Sequence, residues 1–201
     1  MRYIELDEVY SEKAIREICE EFPFLIPKRN GKIVPDYDYT YLWLEIPRGW
    51  YNLFLQMCGD IKPILEKHGL INVFEFEQVK EKYNGLRCYY NFGLDYIYVD
   101  SAPQEIKDIA DKYEYMAKFV CTRCGDVATR ETYRGWISSY CNKCISDSEY
   151  LTEDILSEIE PEFSVRVYKF SVGGNGEPCR TEETLSFEDE WNRYKNLIGA
   201  E

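Results

Sequence analysis

Four of the eight cysteines in this 201-residue chain have the spacing of a metal site. Cys121 and Cys124 form one Cys-x2-Cys pair, and Cys141 and Cys144 form a second pair after sixteen intervening residues. Each pair can hold a metal ion from a tight turn, and four thiolates complete the tetrahedron that zinc prefers. Such a site leaves no position for water, so it stabilises a fold and hydrolyses nothing. The spacing predicts one structural Zn2+ in a four-cysteine zinc ribbon.

The alternatives for these cysteines are buried, reduced thiols or a redox dithiol. Paired spacing on both sides of the loop disfavours both, because a redox pair normally occurs once, beside a strand-to-helix junction. Among the other cysteines, Cys19, Cys58 and Cys88 lie on predicted apolar faces and are expected in the core. Cys179 follows a glycine-rich loop, where it would be a free surface thiol.

Catalytic groups are scarce in the sequence. His68 is the only histidine, and it ends the apolar stripe of a predicted helix, so a partly buried structural residue is the expected role. The chain has no phosphate loop, dinucleotide fingerprint or histidine-based metal motif. These observations favour a protein that is not an enzyme.

One segment carries positive charge beside an aromatic ring. Cationic side chains next to such a ring can bind phosphate or carboxylate while the ring stacks on a base. The alternative is a solvated hairpin face. The set consists of Lys80, Lys82, Arg87 and Tyr89.

Three further residues would extend this basic-aromatic face if the zinc ribbon folds over the hairpin. They are Trp50, Arg134 and Trp136, of which the last two lie between the cysteine pairs. Core packing is the alternative for both tryptophans.

The predicted elements give an α+β fold, with an antiparallel hairpin-based sheet packed on helices. Residues 72–92 form the hairpin, in which Asn84-Gly85 supplies a two-residue turn and pairs Tyr83 with Leu86 and Glu81 with Cys88. Val79, Tyr83, Leu86, Cys88 and Tyr90 would then share the buried face. Helical spacing is found in residues 11–22, in residues 49–68, where Pro63 should kink or divide the helix, and from Ser101 onward.

Three regions follow from this pattern. Residues 1–118 are the α+β core and residues 119–146 the zinc ribbon. Residues 147–201 are an acidic helix–strand–helix extension packed on the core, with a helix over 146–162, a strand over 163–170 and a last helix capped by Ser186.

The formal net charge of −13 restricts the partners. Proteins that bind bulk nucleic acid release counterions through many Lys and Arg residues, so this composition makes such binding unlikely as a general property. The sequence shows no signal peptide and no apolar stretch of transmembrane length, which predicts a cytoplasmic protein without membrane contact. Oligomeric state is not indicated.

The motifs resemble those of a known group of proteins. The shared residues are Gly49-Trp50, then Gln78-Val79-Lys80-Glu81-Lys82-Tyr83-Asn84-Gly85-Leu86-Arg87, and then Cys121-x2-Cys124 and Cys141-x2-Cys144. Over residues 49–146 the chain is similar to small, uncharacterised zinc-ribbon proteins found largely in bacteriophages and prophages. The resemblance implies an accessory protein that acts by binding, in counter-defence, and it supplies no reaction.

The sequence therefore leaves three hypotheses for function. The first is a non-catalytic protein that binds an anionic, nucleotide-like small molecule through the basic-aromatic face. The second is an interaction module that blocks a host protein through its acidic and aromatic surface. The third and weaker one is nucleic-acid binding through the ribbon.

Overall fold

The structure is a computed structural model that describes residues 12–26, 28–29, 32–33, 45–93, 103–133, 137–145, 152–154, 164–172 and 178–199. The helices in these ranges are α1 (Glu12–Glu21), α2 (Tyr51–His68), α3 (Gln104–Ala117) and α4 (Phe187–Ile198). The strands are β1 (Lys28–Arg29), β2 (Lys32–Ile33), β3 (Glu75–Lys82), β4 (Gly85–Asn91), β5 (Arg130–Tyr133), β6 (Ile137–Tyr140), β7 (Thr152–Asp154), β8 (Ser164–Val172) and β9 (Pro178–Ser186). Helices and antiparallel hairpins thus pack together in an α+β fold, as the sequence predicts.

Helix α2 lies at the centre of the core. Every residue from Tyr51 to Cys58 is buried, so the first half of the helix is covered on all sides. The helix continues through Pro63 and ends at His68, followed by Gly69 in the left-handed conformation (φ 69°). The predicted division at Pro63 is therefore wrong, and the kink stays a prediction. The buried neighbours Ile61, Ile64 and Leu65 hold the helix across the hydrogen bond that proline cannot make.

The β3–β4 hairpin has the predicted faces but a different turn. Lys82 pairs with Gly85, so the two turn residues are Tyr83 (φ 52°) and Asn84 (φ 60°). Positive φ at both positions is the geometry of a type I′ turn. The predicted Asn84-Gly85 turn is wrong by one residue, and Glu81 opposes Leu86. A turn displaced by one residue shifts the pairing by two, which leaves each strand residue on its predicted face.

The buried face of this hairpin packs on α2 and on a group of aromatic rings. Val79, Leu86 and Tyr90 are buried, as predicted, whereas Tyr83 projects from the turn and is 75% exposed. A bulge between Phe76 and Gln78 changes which side of β3 faces the core. Phe76, which would point outward in a regular strand, therefore packs against the core. The rings that meet at this end of the core are Phe24, Phe54, Phe74, Phe76, Tyr90 and Phe92.

The other predicted helices form with small changes. Helix α1 matches the prediction, and α3 begins at Gln104 after Pro103, which caps it without a side-chain hydrogen bond. Ser11 and Ser101, where the helical spacing of these two segments begins in the sequence, lie outside the described residues. No helix in the described part of the chain combines the length and apolar character needed to cross a bilayer.

The C-terminal region differs most from its prediction. Residues 152–154 form strand β7, which pairs with β5, although the acidic composition of residues 146–162 predicted a helix. The predicted strand over 163–170 is confirmed by β8, and β9 pairs with it along nine residues. Helix α4 begins after Ser186 and buries Trp191 and Tyr194 in the core. The glycine-rich loop and the Cys179 side chain lie outside the described part.

The observed turn can be tested at Tyr83. Its side chain is exposed while its backbone is left-handed, a conformation that glycine adopts without steric cost. We expect Tyr83→Gly to raise the free energy of unfolding by up to about 1 kcal/mol. Lys80→Gly, in the middle of β3, should lower it by about 0.5–1 kcal/mol. Urea denaturation of both variants measures the difference, and a loss of stability in Tyr83→Gly would place Tyr83 in a strand.

Candidate metal centre

The four cysteines predicted to bind metal come together in the structure. Their Sγ atoms all lie within 4.8 Å of one another, and the Sγ atoms of Cys124 and Cys141 are 3.6 Å apart. A tetrahedral ion with Zn–S bonds of about 2.3 Å separates its sulfur ligands by about 3.8 Å. The cluster therefore has the composition and the size of a closed tetrahedral metal site.

Each Cys-x2-Cys pair forms a tight turn stabilised by backbone hydrogen bonds. In the first, Gly125 N donates to Cys121 O (3.0 Å), and Gly125 has φ 78°, which favours glycine. In the second, Cys144 N donates to Cys141 O (3.0 Å). The antiparallel strands β5 and β6 bring the two turns together, and Thr122 N donates to Ser139 O (3.0 Å) across them.

Burial disfavours the ionised form of two of these thiols. Burial raises the pKa of Cys144 to about 11 and raises that of Cys124 well above the ordinary value. Four thiolates this close would also repel one another. A divalent ion removes both penalties because it displaces the protons and supplies the opposite charge.

Gly49 and Trp50 hold the first cysteine turn against the start of α2. Gly49 N donates to Thr122 O (2.9 Å), and a Cβ atom on Gly49 would lie 2.0 Å from Cys121 O. Trp50 is completely buried and its Nε1 donates to Val120 O (2.9 Å). Trp50 is thus a core residue and cannot extend the basic-aromatic face. Close backbone approach explains why this position requires glycine.

Asn84 attaches the β3–β4 turn to the metal module, by which we mean the two cysteine turns together with strands β5 and β6. It is 1% exposed, and its Nδ2 donates to Glu131 Oε1 (2.5 Å) and to Ser139 Oγ (2.6 Å). Its backbone N donates to Glu81 Oε1 (2.8 Å). Buried hydrogen bonds of this kind specify one register, because a shifted turn would leave the amide unpaired.

Helix α4 supplies a third attachment. The Tyr194 hydroxyl donates to Gly125 O (2.9 Å), and the Tyr194 ring stacks on Trp191 with centroids 5.5 Å apart. Trp191 packs edge-on against Phe119 at 5.8 Å. The metal module is therefore fixed by Gly49 and Trp50 ahead of α2, by the β3–β4 turn and by α4.

The basic-aromatic side chains share the outer face of the β3–β4 hairpin. Lys80 is paired with Arg87, and Gln78 is paired with Tyr89. Lys80 Nζ lies 5.4 Å from the centroid of the Tyr89 ring, which is 39% exposed.

Tyr83, which the sequence analysis assigned to the buried face, belongs with this group. Lys82 Nζ lies 5.6 Å from the centroid of its exposed ring. Knowing that the turn begins at Tyr83 would have identified it, since side chains of turn residues project from the hairpin.

Arg87 is engaged in an ion pair. Its Nη2 lies 2.7 Å from Glu114 Oε1 on α3. Burial raises the pKa of Glu114, although Arg87 opposes the shift. Arg87 thus joins the hairpin to α3 and is not simply an open anion-binding group. Arg134 and Trp136 lie outside the described residues.

The remaining sequence candidates occupy structural positions. Cys19 and Cys58 are buried and Cys88 is half-buried, and burial raises the pKa of Cys19 to about 11. His68 Nε2 lies 3.7 Å from Glu105 Oε1 at the end of α2. The three cysteines thus pack in or against the core, as predicted. His68, predicted to be partly buried, lies at the exposed end of α2.

Fold and site together define an α+β protein with a four-cysteine metal-binding cluster. No protein-family model, no curated protein and no solved structure matched the chain. The resemblance to phage zinc-ribbon proteins accordingly stays a prediction from motif residues.

The contact between Gly49 and the first cysteine turn can be tested by adding one methyl group. We expect Gly49→Ala to lower the free energy of unfolding by about 3 kcal/mol, because the Cβ would overlap backbone atoms that are themselves held by the turn. Gly69→Ala is the matched control: its Cβ would meet no atom within 4 Å, so only the left-handed backbone costs about 1 kcal/mol. Urea denaturation compares the two, and equal losses would contradict the close contact.

Proposed function

We propose that this chain is a non-catalytic binding protein in which a structural zinc ion fixes the β3–β4 hairpin, whose outer face binds an anionic, nucleotide-like ligand. The observation that carries the proposal is a pair of cation–aromatic contacts with exposed rings, Lys80 with Tyr89 and Lys82 with Tyr83. They occur on one hairpin in a chain of net charge −13.

Zinc is the ion best suited to the cluster. Four sulfur ligands in a tetrahedron exclude the harder cations, which prefer oxygen, and leave no open position for catalysis. Its contribution is structural, because the first cysteine turn bonds Gly49 and Tyr194 through its backbone carbonyl groups, and strands β5 and β6 bond the hairpin through the side chains of Glu131 and Ser139. The proposed function therefore depends on zinc for the placement of the face and not for a reaction.

Zinc content tests the metal assignment. We expect the purified protein to hold one zinc ion per chain and the double variant Cys121→Ser/Cys124→Ser to hold none, as measured by inductively coupled plasma mass spectrometry. Cys88→Ser is the control, because Cys88 lies outside the cluster and contacts Met57. Full zinc content in the double variant would reject the site.

The face can bind an anion in two ways at once. Lys80 and Lys82 offer ammonium groups to phosphate oxygens, and the Tyr83 and Tyr89 rings offer apolar surfaces on which a base can stack. A hairpin attached at its turn by Asn84 presents these groups in a fixed arrangement, which reduces the entropy lost on binding. The accessory role in counter-defence implied by the resemblance would correspond to sequestering such a ligand.

Arg87 contributes to this face mainly by positioning. Its ion pair with Glu114 links the hairpin to α3. Removing Arg87 would leave a partly buried carboxylate without that partner, so a loss of binding in Arg87→Ala would be confounded by a loss of stability. The lysines are the cleaner sites for substitution.

Titration calorimetry with nucleoside mono-, di- and cyclic phosphates tests the ligand proposal. We expect Lys80→Ala and Lys82→Ala each to weaken the binding of the best nucleotide by about tenfold, because each removes one charge-assisted hydrogen bond. Tyr89→Ala should weaken it similarly through lost stacking.

The control is Lys13→Ala on α1, whose side chain is 87% exposed and paired only within its helix among the described contacts. It should bind nucleotide as the unchanged protein does. Absence of binding by every nucleotide, or unchanged binding in Lys82→Ala, would end the proposal.

The interaction-module hypothesis is supported by a different observation. Tyr83, Tyr89 and Val73 are large apolar side chains exposed at the hairpin, and aromatic residues of this kind are common in protein interfaces. Trp191 and Tyr194 are buried and cannot serve that surface. A host protein captured by the unchanged chain and lost with Tyr83→Ser would favour this alternative, provided that nucleotides do not bind.

A further inference from the structure

A cleft of about 540 Å3 opens on the side of the core where α1, α2 and α4 meet. Phe22 and Leu197 provide apolar wall, Lys62 and Arg193 bring positive charge, and Glu21 and Asp60 bring negative charge. A volume of this size is within the usual range for small-molecule sites, about 300–1,000 Å3. The cleft uses different helices from the hairpin face, so it is independent of the proposed function.

Arg193 is held in place on the wall of the cleft. Its Nη2 donates to Asp60 Oδ2 (2.8 Å) and to the Tyr113 hydroxyl (2.9 Å). With the Gln56 amide oriented to present its oxygen, Gln56 accepts from Nε and Nη2 at 3.2 Å each. The guanidinium is therefore fixed before any ligand arrives, which favours binding.

Positive charge is concentrated behind this guanidinium. Lys112 is 2% exposed and its Nζ lies 2.8 Å from the same Asp60 Oδ2. Burial by itself would raise the pKa of Asp60, but the charges of Lys112 and Arg193 outweigh it, so the pKa is lowered and the carboxylate is ionised. Two cations thus share the Asp60 carboxylate on the wall of the cleft. A third cation, Lys62, donates to Glu21 O (2.9 Å) at the entrance.

Gly59 keeps the wall of the cleft open. It lies in the middle of α2, where glycine destabilises a helix relative to alanine, and it has no side chain to fill the space beside Asp60. A buried helix that is otherwise densely packed thus has its smallest residue at the cleft.

We propose that this cleft binds a small organic oxyanion. The acidic group, carboxylate or phosphate, lies against Arg193 and Lys62, and the apolar part of the molecule packs on Phe22 and Leu197. Lys62, Arg193 and the adjoining Lys112 outnumber Asp60 and Glu21 by one charge, which favours an anion. The mixed lining favours a molecule with one acidic end and one apolar end.

Nuclear magnetic resonance titration of the zinc-loaded full chain with three ring compounds tests the proposal. Benzoate and phenyl phosphate carry the two candidate oxyanions, and benzyl alcohol is a neutral compound with the same ring. We expect saturable shifts of the Gly59 and Asn196 amides with one or both anions at millimolar concentration, and none with benzyl alcohol. The stronger of the two anions identifies the acidic group.

Two variants test the location without disturbing the Asp60 network. Lys62→Gln should weaken anion binding about tenfold, since it removes one charged donor. Gly59→Leu should abolish binding by filling the cleft while the protein stays folded. Lys67→Gln, on the same helix but paired with Glu105, should bind as the unchanged chain does.

Three results would overturn the proposal. They are equal shifts with benzyl alcohol, binding retained in a folded Gly59→Leu variant, and the absence of saturable shifts with both anions.

Discussion

The arrangement of four cysteine sulfur atoms within 4.8 Å of one another is the constraint on which the rest of this structure depends. A cation at the centre makes such a cluster favourable. Without it, ionised thiolates would repel one another, and neutral thiols would provide no bond that joins the two turns. Once closed, the two turns present backbone carbonyl and amide groups in fixed positions. Gly49, Asn84 and Tyr194 each bond these groups or the strands beside them, so the four-cysteine cluster lies where three distant segments meet.

The densely packed interior of the protein and its open, charged surfaces lie in different parts of this structure. The metal module and α2 form a densely packed interior in which even a methyl group on Gly49 has no room. The outer side of the β3–β4 hairpin and the cleft beside α4 are open surfaces supported by that interior. Both carry positive charge in an acidic chain, and in both the cations are held by a neighbour: Arg87 by Glu114, and Arg193 by Asp60.

Sequence reasoning predicted the elements that depend on local pattern. The paired cysteines, the hairpin, its faces and α2 follow from spacing and periodicity. The turn was misplaced because Asn-Gly is the favoured pair, whereas the structure accepts a left-handed Tyr83 so that the buried side chain of Asn84 can bond Ser139. Strand β7 was missed because its pairing with β5 is a tertiary contact that acidic composition does not reveal. The cleft was not predictable, since its walls come from segments far apart in sequence that only packing brings together.

The hydrogen bonds around the metal module also constrain the order in which the chain can fold. Trp50 bonds a residue 70 positions later, Asn84 one 55 positions later, and Tyr194 one 69 positions earlier. Long sequence separations slow folding because the loops must close before the contacts can stabilise them. During synthesis from the N-terminus, all four cysteines leave the ribosome before Tyr194 does. The cysteine turns can therefore take up metal while α4 is still unmade, and a nascent chain truncated before α4 would expose the surface that Trp191 and Tyr194 later cover.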